Sequence, residues 1–252
     1  MITPQKNKNR ESIFMRTDAL VTEKLCAAAQ QLRRDVAEMM GAGCCPDAFS
    51  AADLLAALYF EKLRYDAKDP HWAERDRLIL SKNAFAPLLY AALARAGFFP
   101  AEELSTWRQL ESQLQGNPDM WLLPGVEATT GSPGQGLSIG LGLALGMRLD
   151  QKSSRVYVLL GGDELAEGQV WEAAMAAAGY QLDHLVAIVD CGCAADDLAA
   201  KWTAFGWHVI GIDGHDFPAI LAAYDEAETV QDRPTVILAS TVPGRGLPAE
   251  RS

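Results

Sequence analysis

Nowhere in the 252 residues is there a run of about 18 apolar residues, so no segment of the sequence reads as a membrane-spanning helix. The first sixteen residues, MITPQKNKNRESIFMR, carry basic and polar side chains but no apolar block and no small-residue cleavage site. They do not read as a secretory signal. Basic residues are few: 22 Lys and Arg stand against 33 Asp and Glu, a net charge of −11 at pH 7. Nucleic acid as the main partner is thereby excluded, because phosphate backbones call for a basic face. Small anions are not excluded, since backbone N–H groups and a bound cation can hold them. Cysteine is sparse and odd in number: Cys26, Cys44, Cys45, Cys191 and Cys193. Neither Cys44-Cys45 nor Cys191-Gly192-Cys193 has Cys-x-x-Cys spacing, so they read as reduced thiols of a cytoplasmic protein and not as a disulfide framework or zinc site. Hydrophobic residues at 49% and charged residues at 22% give an ordinary globular composition, long enough for one α/β domain.

Residues 1–17 read as a flexible polar arm and 18–252 as a single domain. From Asp18 to Met40 the apolar positions Leu20, Leu25, Leu32, Val36 and Met39 recur at helical spacing, and Gly41 and Gly43 end the helix. Ser50 is placed to cap a helix through AADLLAALYFEKL. RLILS (77–81) reads as a strand, APLLYAALARA as a helix closed by Gly97, and Pro100-Ala-Glu-Glu as another helix start. Residues 115–134 form a long irregular loop of the kind that usually carries function or an interface. The helix GQGLSIGLGLALG is rich in Gly and Ala, which cost helix propensity; the expected compensation is close approach of another backbone, from this chain or a second subunit. Beyond it, VYVLL (156–160) reads as a strand without polar interruption, LVAIVD (185–190) as a second buried strand, HVIGID (208–213) as a third and PTVILAS (234–240) as a fourth, with helices at 167–180 and 217–227. Strands alternating with helices predict a doubly wound, mostly parallel α/β sheet with helices on both faces.

Ligands of such sheets bind at the carboxyl ends of the strands. Those ends are Ser81-Lys82-Asn83, Gly161-Gly162-Asp163-Glu164, Asp190-Cys191-Gly192-Cys193 and Asp213-Gly214-His215-Asp216. Two glycines followed by two carboxylates would suit a hard cation that bridges a diphosphate. The plainer reading is a Gly-Gly turn with Asp163 as a helix cap. Gly134-Gln-Gly136 imitates a dinucleotide fingerprint but follows no strand, so it is rejected.

The stretches SAADLLAALYFEKLRYD, RDRLILSK, APLLYAALA, LPGVEATTGSPGQGLS, VYVLLGG-x-E-x-x-EGQVWEAAMAAA, VAIVD, KWTAFGWHVI and IDGHD cover about Ala27 to Val242. In this order they resemble the N-terminal, diphosphate-binding half of transketolase, and most closely the smaller chain of two-component transketolases. The resemblance implies the thiamine diphosphate-binding fold, with thiamine diphosphate and Mg²⁺ as cofactors for transfer of a two-carbon ketol unit between sugar phosphates. It implies a separate C-terminal subunit carrying the pyrimidine and C-terminal domains, and a homodimer contact within a hetero-oligomer. It places Gly131, Gly134, Gly161, Gly162, Asp163, Glu164 and His215 at the cofactor, with Asp163 and Asp190 as the carboxylates nearest the metal position.

Departures from the family pattern fall at that position. The family reads Gly-Asp-Gly-Glu, its Asp ligating the metal; here Gly162 holds the ligand position and the carboxylate comes one residue later, turned to another side. The family's second ligand, an Asn after the next strand, has no counterpart in Asp190–Cys193, and the following loop is short. Family histidines are replaced in Gly43-Cys44-Cys45-Pro46, Lys82-Asn83-Ala84 and Gly116-Asn117-Pro118. Glu164 and Glu167 fit capping and dimerisation roles, His215 fits a helix cap before Phe217, and His208 a structural role in its strand. Two readings stay open: an active split-transketolase subunit with a rebuilt metal site, drawing on Asp163, Asp190, Asp196 or Asp197 and with Lys82 or Arg245 toward phosphate; or an inactive paralogue serving as scaffold or regulatory subunit.

Overall fold

The computed structural model describes residues 7–41, 46–192 and 196–246. Five parallel strands form one sheet: β1 (Arg77–Leu80), β2 (Val156–Gly161), β3 (Leu185–Gly192), β4 (His208–Asp213) and β5 (Thr235–Ser240), in the order β1-β2-β3-β5-β4. Because strand side chains alternate, each strand serves two cores. Tyr157 and Leu159 of β2 face a layer made of α1 (Asn7–Met40), α3 (Ala52–Ala57), α4 (Ala86–Ala96) and α8 (Phe217–Thr229). Val156, Val158 and Leu160 face α5 (Gln135–Leu149), α6 (Gly168–Gly179) and α7 (Asp196–Ala204). Coverage of both faces explains why β2, β3 and β5 are apolar along most of their length, whereas the edge strand β4 buries only Ile210. None of the described helices is long and apolar enough to cross a membrane.

Several element boundaries differ from those the residue patterns predict. Helix α1 begins at Asn7, so backbone expected as a flexible arm is helical from 7 to 17. Asn7–Thr17 is mostly polar, and apolar spacing cannot register a polar extension whose Lys, Arg and Glu are good helix formers. Gly41, at φ +56°, ends α1 as expected; Gly43, Cys44, Cys45 and Cys193 lie outside the described residues. Ser50 is not an N-cap. It closes a short helix α2 (Asp47–Ser50). The chain after Pro100 makes only a 3₁₀ segment, Ala101–Thr106. Helix α7, which the sequence pattern does not announce, is anchored by the fully buried Trp202, whose ring lies 5.1 Å from Trp171 and 4.8 Å from Trp207.

Helix α5 bears out the close approach expected of its small residues, on its inner face. A Cβ on Gly136 would stand 2.8 Å from the Ser81 Cα, and one on Gly140 would collide with Val158. On the outer face, Gly142 and Gly146 meet nothing. Gly136→Ala should therefore destabilise the chain by about 1–3 kcal/mol, because backbone cannot swing aside. Gly142→Ala, in open helix, should stabilise it by about 0.5–1 kcal/mol. Urea unfolding of both variants measures this contrast.

Candidate functional site

The carboxyl ends of β1, β2, β3 and β5 converge with α2 on a cavity of about 400 Å³, lined among others by Asp47, Ser50, Lys82, Asp163, Asp190 and Thr241. Glu164 organises the floor beside it. The end of β2 turns through a 3₁₀ segment, Gly162–Ala166, which swings Glu164 inward until the residue is 3% exposed. Its Oε1 accepts hydrogen bonds from Ser81 Oγ at 2.7 Å and the Gly134 N–H at 2.6 Å; its Oε2 accepts from the Gly161 N–H at 2.8 Å. Ser81 Oγ in turn accepts from the Gly136 N–H at 3.2 Å. One carboxylate thus ties the ends of β1 and β2 to the start of α5. Gly134 sits at φ +79°, where a Cβ would meet Val170 Cγ2 at 2.7 Å, so its glycine answers to the entry into α5.

Asp190 is buried at the end of β3, and both of its oxygens are taken: the hydroxyls of Ser50 and Thr241 donate to them. Neighbouring Cys191 is also buried. Burial, then the Asp190 carboxyl, push its thiol up to about 12, which disfavours the thiolate at neutral pH. Asp163 points out of the floor instead, and its Oδ1 lies 2.9 Å from Lys82 Nζ. The same ammonium is 3.1 Å from Asp47 Oδ2 and 5.2 Å from the centre of the Phe85 ring. Burial pulls the Lys82 pKa down, but the hydrogen bonds it donates to Asp163 and Asp47 outweigh it, and the group is held above its usual range.

A divalent cation needs several oxygen ligands on one centre. At its expected position Gly162 and Gly192 offer no side chain, and of the nearby carboxylates Asp190 accepts from two hydroxyls and Asp163 pairs with Lys82. Among the described residues no three His, Cys, Asp or Glu side chains stand together to hold a metal. Asp197 lies on the exposed face of α7, 3.4 Å from Lys201; the Asp196 side chain lies outside the described residues. The described donor set does not fit a divalent cation. Nor does it favour a diphosphate: the Gly134 and Gly161 N–H groups already serve Glu164, and Asp47, Asp163 and Asp190 outnumber the one ammonium.

His215 is not among the residues that line this cavity. It lines a larger one of about 700 Å³ between α1, α3 and the segment after β5. There its Nδ1 is 2.8 Å from Asp53 Oδ2, and its Nε2 accepts the Val242 N–H at 2.9 Å, which fixes the tautomer with hydrogen on Nδ1. Asp53 is also gripped by both Arg33 terminal nitrogens, at 3.0 and 2.6 Å. Burial would raise the Asp53 pKa, but hydrogen bonds from His215 and Arg33 prevail and hold it below the usual carboxylate range. Arg33, Asp53 and Thr241 carry no local motif and sequence reading passes over them, while Ser50 reads only as a helix cap. Gly131 lies on the loop before α5, where its carbonyl accepts from Asn83 Nδ2 at 3.0 Å. His208 pairs with Glu226 of α8 at 2.7 Å, a role in packing.

The strand-end geometry and the sheet can be set beside known proteins. Residues 21–252 match the family described as transketolase, thiamine diphosphate binding domain. The 6-deoxy-6-sulfo-D-fructose transketolase subunit SqwG of Clostridium sp. (strain MSTE9) is 42% identical over 218 residues, 82% of this chain and 79% of that protein. Human transketolase is 41% identical over 219 residues, 81% of this chain but 33% of the enzyme, so the chain spans about a third of a full-length transketolase. Among solved structures, a transketolase from Campylobacter jejuni superposes with a TM-score of 0.80 at 30% identity, covering 86% of this chain and 37% of that one. A transketolase from Leishmania mexicana gives 0.79 at 28% identity, covering 86% and 36%. The chain belongs to the transketolase family and corresponds to its N-terminal, thiamine diphosphate binding domain.

Proposed function

We propose that this chain is the N-terminal subunit of a two-component, transketolase-type assembly in the cytoplasm, and that it serves the assembly as a scaffold or regulatory subunit without holding a metal-bound thiamine diphosphate. The observation that carries this reading is the contrast between frame and site. The Glu164 hub that joins β1, β2 and α5 is complete, with every donor in place. The metal position beside it is bare of side chains at Gly162 and Gly192. A chain kept for two-carbon transfer would need those ligands, because the thiamine cofactor supplies the carbanion chemistry and the protein supplies its position and electrostatics.

Surfaces for assembly support the same reading. The outer face of α5 leaves Gly142 and Gly146 open beside the exposed Leu149, and Met175 of the adjoining α6 is exposed as well. That face suits a second copy of this chain. On the 115–134 loop, Met120, Trp121 and Leu122 stand out from the body, with Trp121 84% exposed. Exposed apolar groups so grouped suit a protein partner, here a separate chain bearing a pyrimidine domain. SqwG, by its name a transketolase subunit, is the precedent for such a division.

Sedimentation of the purified chain, alone and with a co-expressed pyrimidine-domain chain, tests the assembly. A dimer alone and a larger complex with the partner are expected, and Gly146→Arg should leave the fold intact while giving monomers. Calorimetric titration of thiamine diphosphate with Mg²⁺ into the same samples should show no binding. Micromolar, metal-dependent binding would restore the reading of an active subunit.

A further inference from the structure

The cavity of about 700 Å³ beside His215 lies apart from the strand-end site, and its charge runs against that of the chain. Three arginines line it: Arg33 and Arg34 from α1, and Arg245 from the segment after β5. Two carboxylates, Asp53 and Glu38, stand among them. Asp53 is matched by Arg33, and His215, with hydrogen on Nδ1 and its Nε2 accepting from Val242, adds no charge. Arg34 and Arg245 then face Glu38 alone. One positive charge is in excess, on a chain whose net charge is −11. A concave basic site of this kind concentrates small anions.

Arg33 carries the second sign of a ligand. It is 9% exposed, and Asp53 takes both of its terminal nitrogens. Its Nε is buried with no hydrogen-bond partner among the described residues. A buried charged donor is costly until an acceptor reaches it. Gly246, at φ +81°, lies over it, and a Cβ there would stand 2.7 Å from the Arg33 Cδ and 3.2 Å from Nε. Only glycine leaves room for an acceptor between this turn and the guanidinium.

We propose that this cavity binds a small phosphate monoester, with its phosphate held among Arg33, Arg34 and Arg245 and its organic body along Ala37 and Phe217. A tetrahedral oxyanion fits because the donors come from different sides: Arg33 from the floor, Arg34 from α1 and Arg245 from the opposite segment. A planar carboxylate has two oxygens in one plane and suits a single guanidinium fork better. Both outer arginines are free to turn inward. Arg34 is exposed and bonded to Gln31 of its own helix at 2.6 Å, and Arg245 is exposed with no ion pair among the described residues. Entry asks only a small lift of the exposed turn at Arg245 and Gly246. A bare phosphate ion would leave most of the volume empty, and pockets of this size house organic ligands. The inference goes beyond the scaffold reading and stands whether or not the strand-end cavity takes a cofactor.

Calorimetric titration of the full chain with glycerol phosphate, inorganic phosphate and acetate, in chloride buffer of constant ionic strength, tests the site. Glycerol phosphate should bind one to one and several-fold more tightly than inorganic phosphate, with acetate weakest. Arg245→Gln removes one donor and Gly246→Ala fills the space over Nε. Each alters an exposed residue beyond the last strand, and each should weaken glycerol phosphate about tenfold or more. Lys201→Gln, on the exposed face of α7, removes the same charge elsewhere and should leave the affinity unchanged. Absence of binding to the wild type overturns the proposal, as does binding that Arg245→Gln and Gly246→Ala leave intact. An equal loss in Lys201→Gln would reduce the effect to net charge, and acetate binding as tightly as the phosphates would overturn the ligand class. None of these results bears on whether the chain assembles with a partner.

Discussion

Glu164→Ala should cost the chain about 3–5 kcal/mol of stability, because it leaves three buried donors without their acceptor. The donors are the Ser81 hydroxyl and the N–H groups of Gly134 and Gly161. They belong to three segments that converge on this one carboxylate. Water cannot easily replace it, since the residue is 3% exposed. Glu164→Gln separates charge from shape. It keeps one acceptor oxygen but turns an NH₂ toward a donor, and about 2 kcal/mol is the expected loss. Urea unfolding followed by circular dichroism provides both numbers. A loss below about 1 kcal/mol for the alanine variant would mean that the hub is solvated and replaceable. The effect should appear in the isolated chain with no cofactor present, which sets Glu164 apart from a residue whose part is confined to catalysis.

Asp53→Ala should produce a loss of similar size by a different route. Arg33 and His215 converge on this carboxylate from α1 and from the segment after β4, and their own remaining contacts are few. Arg33 Nε is buried with no hydrogen-bond partner among the described residues, so the guanidinium depends on Asp53. Removing one member of a buried pair strands the other, typically at about 3–5 kcal/mol. The pH dependence follows from the direction of the Asp53 shift. Its folded pKa is depressed below the unfolded value of about 3.9. The stability it contributes is therefore complete above that unfolded value, and is lost as pH falls through the folded one. Acid unfolding of the wild type should steepen below about pH 4, and Asp53→Asn should flatten that limb while leaving the neutral-pH slope alone. An unaltered acid limb in Asp53→Asn would assign the acid sensitivity to other carboxylates.

Much of the architecture was legible in the residues because burial on both faces leaves a one-dimensional trace. β2, β3 and β5 read as apolar runs within two residues of their observed limits, the edge strand β4 keeps the expected bounds 208–213 with only Ile210 buried, and α4 closes at Gly97, whose φ of +91° only glycine adopts freely. Helix α7 escaped notice because it is only nine residues long and its apolar face, Leu198, Ala199 and the buried Trp202, is too short to stand out as a periodic run. The start of α1 escaped because polar helix carries no hydrophobic signal.

The candidate site divides along the same line. Asp163, Glu164 and the bare Gly162 could be named from one strand end, since their chemistry is written in four consecutive residues. What those residues do was decided by groups far away in the chain. Asp190 is satisfied by Ser50, 140 residues distant, and by Thr241, 51 residues distant. Lys82 meets Asp47 across 35 residues, and Asp53 meets His215 across 162. Such pairs leave no periodicity or spacing to read, because they exist only after the sheet orders its strands as β1-β2-β3-β5-β4 and brings the loops to one edge. The sequence by itself determined the family, the doubly wound sheet and the loss of side chains at the metal position. Tertiary structure alone decided that Lys82 pairs with Asp47 and Asp163 and that His215 braces α1 at a different cavity, since both depend on contacts between segments that only packing makes neighbours.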